Sequence, residues 1–332
     1  MRPFAELHVH LEGTFEVEQF VDIARRNGVT PPSWDVDELR SRYAFDDLQS
    51  FLDLYYENLG ALRTEEDFHD LAAAYLKRAA LAGVRHTEMF FDPQTHLGNG
   101  IPLEVVFAGF GAAVDEARRD LGLSADLILC FLRDLGGDAA VETLRAAMPF
   151  RDRFVGVGLD STEVGYPPAL YAEAFGIARS EGLRRVAHAG EEGGPENVRD
   201  ALDLLHVERI DHGNRALEDP DLVARLRDER IPLTVCPLSN LALKTAPPDL
   251  ADHPLRRMLD EGLLVTLNSD DPAYFGGYHD DNVRAVTEAL ALTDSELDLL
   301  ARNSFEASFL GETDRARFLA EIPGVPGPLE AG

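Results

Sequence analysis

The chain is poor in cysteine, in lysine and in long apolar runs. Only two cysteines occur in 332 residues, Cys130 and Cys236, each inside an apolar stretch. Two buried thiols in so long a chain do not make a disulfide framework. Lysine also occurs twice, at Lys77 and Lys244, so arginine carries nearly all the positive charge. Acidic residues outnumber basic ones by 60 to 31, giving a formal net charge of -29. That balance argues against nucleic acid polymers and anionic membranes as partners, since both require clustered basic side chains. No apolar run approaches about 18 residues, so no membrane span is expected. The start of the chain lacks a signal pattern, because Glu6 and two histidines follow at once. These absences together imply a cytoplasmic protein.

What is present is ordinary for a large globular core: 45% hydrophobic and 27% charged residues. The length suits one (β/α)8 barrel with insertions, or two ordinary domains. Eight strand-like runs alternate with helical patterns, at 5–10, 83–92, 126–132, 154–160, 185–192, 208–213, 232–237 and 264–272. Such alternation implies a parallel sheet, and eight units imply closure into a TIM barrel. No linker rich in Gly, Ser or Pro divides the chain, so residues 1–332 read as a single domain. Residues 14–82 form a long helical insertion after the first strand, with Phe15, Ile23, Phe51, Leu54, Tyr55 and Leu62 at helical spacing. Thr64 reads as an N-cap followed by an acidic first turn. A connection of this length suggests a lid. Extra helices over 280–311 close the chain, and a tail rich in Pro and Gly from about 322 is expected to fray.

The polar residues fall at the C-terminal ends of the strand runs, where barrel enzymes carry their sites. In Glu6-Leu7-His8-Val9-His10-Leu11-Glu12-Gly13, two histidines at i and i+2 share one face of a strand. Strand 5 ends with His188 and Glu191, strand 6 with His212, and strand 8 with Asp270 and Asp271. Three imidazoles and a carboxylate suit a divalent ion with an open position for water. Such an ion brings the pKa of its water down to about 7. Glu191 lies three residues past His188 across Gly190 and can move protons without ligating. His212 can hold the hydroxide and take part in its deprotonation. Neither lysine lies at a strand end, so a carbamylated lysine bridging two ions is excluded and a single catalytic metal is favoured.

These motifs resemble the adenosine/adenine deaminase branch of the amidohydrolase superfamily, over about residues 4–312. The resemblance rests on the first motif with His188-Ala189-Gly190-Glu191, Arg209-Ile210-Asp211-His212-Gly213, Cys236-Pro237-Leu238-Ser239-Asn240 and Asn268-Ser269-Asp270-Asp271-Pro272. It implies zinc on His8, His10, His188 and Asp270, with Fe2+ or Mn2+ also compatible. It implies that Glu191 protonates purine N1 as hydroxide adds to C6, and that His212 orients and helps deprotonate the water. Asp271 would bond N7, and Gly158 or a neighbour on strand 4 would offer the base a backbone contact.

The end of strand 4, Gly158-Leu159-Asp160-Ser161-Thr162-Glu163, is similar to the adenine deaminase subgroup, which usually shows Asp-Ser-Ser-Glu. Free adenine has an N–H where adenosine has ribose, and Glu163 or Asp160 would accept it. The expected reaction is adenine to hypoxanthine plus ammonia. The alternatives are adenosine, an N6-substituted adenine or another 6-aminopurine as substrate, an amide or ester hydrolase, and a metal-stabilised purine sensor. A homo-oligomer is compatible with the sequence.

Overall fold

The structure, a computed structural model, describes residues 2–323. Eight parallel strands follow one another around a ring: β1 (Phe4–His10), β2 (Val84–Phe91), β3 (Ser124–Leu132), β4 (Gly156–Asp160), β5 (Arg184–Ala189), β6 (Arg209–His212), β7 (Leu233–Val235) and β8 (Val265–Leu267). Each pairs with the next in sequence. The ring closes between β8 and β1, where His10 N donates to Asp270 O at 2.9 Å and Asp270 N to His8 O at 3.1 Å. Parallel neighbours need crossovers, and helices packed outside the ring supply them. The eight-unit reading of the sequence is therefore realised as a (β/α)8 barrel.

The insertion between β1 and β2 holds four helices, α1 (Val17–Asn27), α2 (Val36–Arg40), α3 (Leu48–Leu59) and α4 (Glu65–Leu81). The α4 start follows the sequence signal. Thr64 and Asp67 cap each other, and the Asp67 carboxylate also takes the N–H of Arg63. A second capping box, Asp47 with Ser50, starts α3. Helix α3 buries Phe51, Leu52 and Tyr55 over the C-terminal mouth of the barrel. Asn58 on α3 donates to the Tyr274 hydroxyl at 3.1 Å, tying the insertion to the segment after β8.

Three short helices escaped the sequence reading: Pro93–Gly98, Pro237–Ala242 and Pro272–Phe275. They are too short for a helical period to show. Their signal is the proline at the first helical position, which fixes φ and costs no hydrogen bond. Asp92, Cys236 and Asp271 precede these prolines with φ of -107, -123 and -116°, the extended range that a following proline imposes. A last helix, Glu312–Leu319, follows the closing helices. Most of the tail expected to fray lies outside the described residues.

The barrel floor is polar, and its buried charges are paired. Buried Arg209 pairs with Glu88 at 2.6 Å and donates to Leu7 O at 3.1 Å. Glu88 also bonds His86 at 3.1 Å and the N–H of Phe309. Among the described residues no helix is long and apolar enough to cross a membrane.

Candidate active site

The strand ends bring His8, His10, His188 and Asp270 together, all buried, with ligand atoms within 4.8 Å of one another. His8 Nε2 lies 3.0 Å and His10 Nε2 3.4 Å from Asp270 Oδ1. His10 Nε2 and His188 Nε2 face each other at 3.3 Å. Three imidazole nitrogens converging on one carboxylate oxygen fit a divalent cation of the zinc, iron or manganese type. The outer partners support this. His8 Nδ1 contacts Thr234 Oγ1 at 2.8 Å, and that hydroxyl donates to Asp211 Oδ1 at 2.9 Å. The hydroxyl proton is thus committed to Asp211, so His8 Nδ1 donates and its Nε2 lone pair is left for a metal. Ser239 Oγ holds the other Asp270 oxygen at 2.6 Å. Burial and the neighbouring His8 keep the His188 imidazole neutral, lowering its pKa well below the usual range.

Two non-glycine residues of the site, His212 and Asp270, have left-handed φ of 64 and 66°, as does Ser161 at 66°. Such conformations cost about 1–3 kcal/mol each and persist where surrounding structure enforces them. At Asp270 the enforcing contacts are the hydrogen bonds that close the barrel.

His10, His188 and Asp270 line one cavity beneath α3. Leu48, Phe51, Leu52, Tyr55 and Tyr56 roof it, and Glu191, His212, Asp271, Asp160 and Asp92 stand on its walls. Glu191 Oε2 is 3.5 Å from His212 Nε2, and Glu191 Oε1 has no partner. Burial, then the charge of Asp270, raises the Glu191 carboxyl well above its ordinary range. Burial also raises Asp271, with Asp270 adding to it against the opposing His10. Burial and His8 bring His212 down to about 3. Gly13 makes room for Asp271, since a Cβ there would lie 2.1 Å from Asp271 Oδ1.

One expected base contact is corrected. The Glu163 carboxylate is not in the cavity wall. It accepts the backbone N–H groups of Gly190, Glu191, Glu192 and Gly193 at 2.8, 3.1, 3.0 and 2.9 Å, and the Asn197 amide at 2.9 Å. Five donors fill its lone pairs, so it organises the turn after β5 and has no capacity for a base. At Gly158 a Cβ would meet Cys130 Sγ at 2.6 Å, so β4 packs closely against β3 there. Asp160 does line the cavity, with Oδ2 3.7 Å from His10 Nδ1 and neither carboxylate oxygen in a hydrogen bond.

Sequence reasoning missed Asp92, Tyr55 and Ser161 in the wall. Asp92 is 2% exposed, with Oδ1 unpartnered. The pre-proline pattern it shares with Asp271 was the available signal. Tyr55 stands on the insertion, and its buried hydroxyl has no partner. Nothing in its helical spacing separates it from a core residue.

A family model described as adenosine deaminase matches residues 3–325. An adenine deaminase from Streptomyces coelicolor is 59% identical, covering 96% of this chain and 94% of that protein. One from Cupriavidus necator is 57% identical, covering 96% and 91%. The crystal structure of adenine deaminase from Arthrobacter aurescens superposes with a TM-score of 0.95 at 49% identity, covering 97% and 98%. An amidohydrolase from Burkholderia ambifaria, with bound Zn, gives a TM-score of 0.89 at 32% identity, covering 96% and 89%.

Proposed function

The chain belongs to the adenosine deaminase family, and on that premise we propose that it hydrolyses adenine to hypoxanthine and ammonia. The observation that carries the chemistry is Glu191, an acid with a free oxygen, 3.5 Å from His212 in the cavity that holds the His8, His10, His188 and Asp270 cluster. Adenine as the base is supported by relatives more than half identical that bear the name adenine deaminase.

A divalent cation on those four residues supplies an activated water; zinc is the proposed ion, as in the Burkholderia ambifaria structure. The residues then divide the work. A neutral purine ring accepts a nucleophile at C6 only as N1 gains a proton, and Glu191 is the carboxyl placed to deliver it. His212 holds the oxygen, and Asp271 bonds N7. Closure under α3 keeps bulk water out, with the insertion 14–82 acting as lid of a single barrel domain.

The rim order supports the base assignment. His212 ends β6, Glu191 follows β5, Asp160 ends β4, Asp92 follows β2 and Asp271 follows β8. The adenine perimeter runs C6, N1, N3, N9, N7. With C6 at His212, N1 at Glu191 and N7 at Asp271, Asp160 and Asp92 fall to the N3–N9 edge. There free adenine has an N–H for a carboxylate to accept, and adenosine has ribose. A sugar would leave the carboxylate that accepts this N–H buried and unpaired, the kind of mismatch that discriminates strongly.

The test is ammonia release by the zinc-loaded protein from adenine and adenosine side by side. Turnover of adenine at least about 100-fold above adenosine is expected. Preference for adenosine would discard the N3–N9 argument and keep the deaminase chemistry. Turnover of neither, with N6-methyladenine hydrolysed, would move the substrate to N6-substituted adenines.

A further inference from the structure

His212 sits at the end of a hydrogen-bond relay that begins at the main chain. The Leu255 N–H donates to His253 Nδ1 at 3.1 Å. A backbone N–H can only donate, so His253 Nδ1 is an acceptor and its proton is on Nε2. His253 Nε2 lies 3.3 Å from Asn240 Oδ1, which therefore accepts. That fixes the Asn240 amide, whose nitrogen faces His212 Nδ1 at 3.3 Å and Thr245 Oγ1 at 3.3 Å. An amide NH2 can only donate, so His212 Nδ1 is an acceptor in turn. The single proton of the neutral ring is left on Nε2, the nitrogen that faces Glu191 Oε2 at 3.5 Å and Asp270 Oδ2 at 3.8 Å. His253, Asn240 and His212 are all buried, so water offers none of them an alternative partner. His253 lies outside every motif that marks the site.

We propose that His253 and Asn240 are positioning residues that lock His212 as its Nε2–H tautomer, making it a hydrogen-bond donor to the reacting oxygen and not a base. The inference rests on the deamination reading for its consequence. An imidazole protonated on Nε2 has no lone pair there to take the proton of the attacking water. That proton passes to Glu191, whose free oxygen lines the same cavity, and Glu191 passes it to N1 as the C6–O bond forms. One proton leaves the water and one arrives on N1, with no other group protonated. This departs from the part in deprotonation that the sequence resemblance assigned to His212.

The experiment is nitrogen-15 NMR of zinc-loaded protein grown on labelled histidine, with His212 assigned by its loss in His212→Gln. The expected wild-type signal is a neutral ring protonated on Nε2. A ring protonated on Nδ1 would overturn the proposal without any further variant. Asn240→Asp supplies the kinetic arm. A carboxylate accepts from both neighbours, so His212 is drawn to the Nδ1–H form, and kcat on adenine is expected to fall about 100-fold or more with a small change in KM. Unchanged or raised kcat in a variant whose spectrum shows the switched tautomer would make His212 the base and overturn the proposed role. A wild type with the expected spectrum but no turnover of adenine upholds the tautomer and overturns the reaction assigned above.

Discussion

The Glu163 carboxylate accepts the backbone N–H of Glu191 at 3.1 Å. The residue expected to touch the base instead holds the turn that carries Glu191. Gly190 in that turn has φ of +73°, and a Cβ on Gly193 would lie 2.6 Å from Glu163 Oε1. The turn is wound around the carboxylate, which offsets the main-chain dipoles pointing at it.

Glu163→Gln keeps the shape but turns an NH2 toward backbone donors. Loss of a charge-assisted acceptor at a buried site costs about 1.5–3 kcal/mol, here spent on the orientation of Glu191. The kcat for adenine is expected to fall roughly 10- to 100-fold. The ratio of adenine to adenosine turnover is expected to stay as in the wild type. Steady-state kinetics on both substrates check this, and a shift in that ratio would return Glu163 to the base.

Thr234→Val removes the hydroxyl that relays His8 to Asp211. His8 Nδ1 then loses its acceptor, and the ring loses the contact that points Nε2 at the metal cluster. Metal affinity is expected to drop about 10- to 100-fold, measured by competition with a chromophoric chelator. Equal affinity in the variant would show that packing alone orients His8.

The barrel floor predicts a pH response separate from catalysis. Burial alone would raise the Glu88 carboxyl, but Arg209, His86 and the Phe309 N–H outweigh it and bring it to about 2. A carboxylate held below its unfolded value of about 4.3 stabilises the fold above that value, and the gain is lost as pH falls toward 2. Urea unfolding is expected to show stability falling between about pH 5 and about pH 3, in part through this group. In Glu88→Gln the fold is weaker at neutral pH, because Arg209 keeps its buried charge without a partner, and the slope below about pH 5 is shallower. An unchanged slope would assign acid sensitivity to other carboxylates.

Much of the site was legible because its signals are local. The His/Asp cluster shows as His-x-His on β1 and as lone polar residues ending apolar runs, and strand periodicity places both on the barrel rim. The Pro93, Pro237 and Pro272 helices show only as one proline each. Glu163 and Asp160 could not be told apart in sequence. They stand three residues apart at the same strand end, and only the path of the chain after β5 decides which one the backbone N–H groups fill.

The sequence by itself determined the barrel and the histidines and carboxylates at its strand ends, since alternating patterns and strand-end residues are set by neighbours in the chain. The tertiary structure alone decided which carboxylates stay unpartnered, and which nitrogen of His212 carries its proton. Both follow from hydrogen bonds between residues far apart in sequence, as when His253 and Asn240 meet across 13 positions or Asn240 and His212 across 28. A donor can be counted in a sequence, but its acceptor is fixed only when the fold excludes water and leaves it one neighbour.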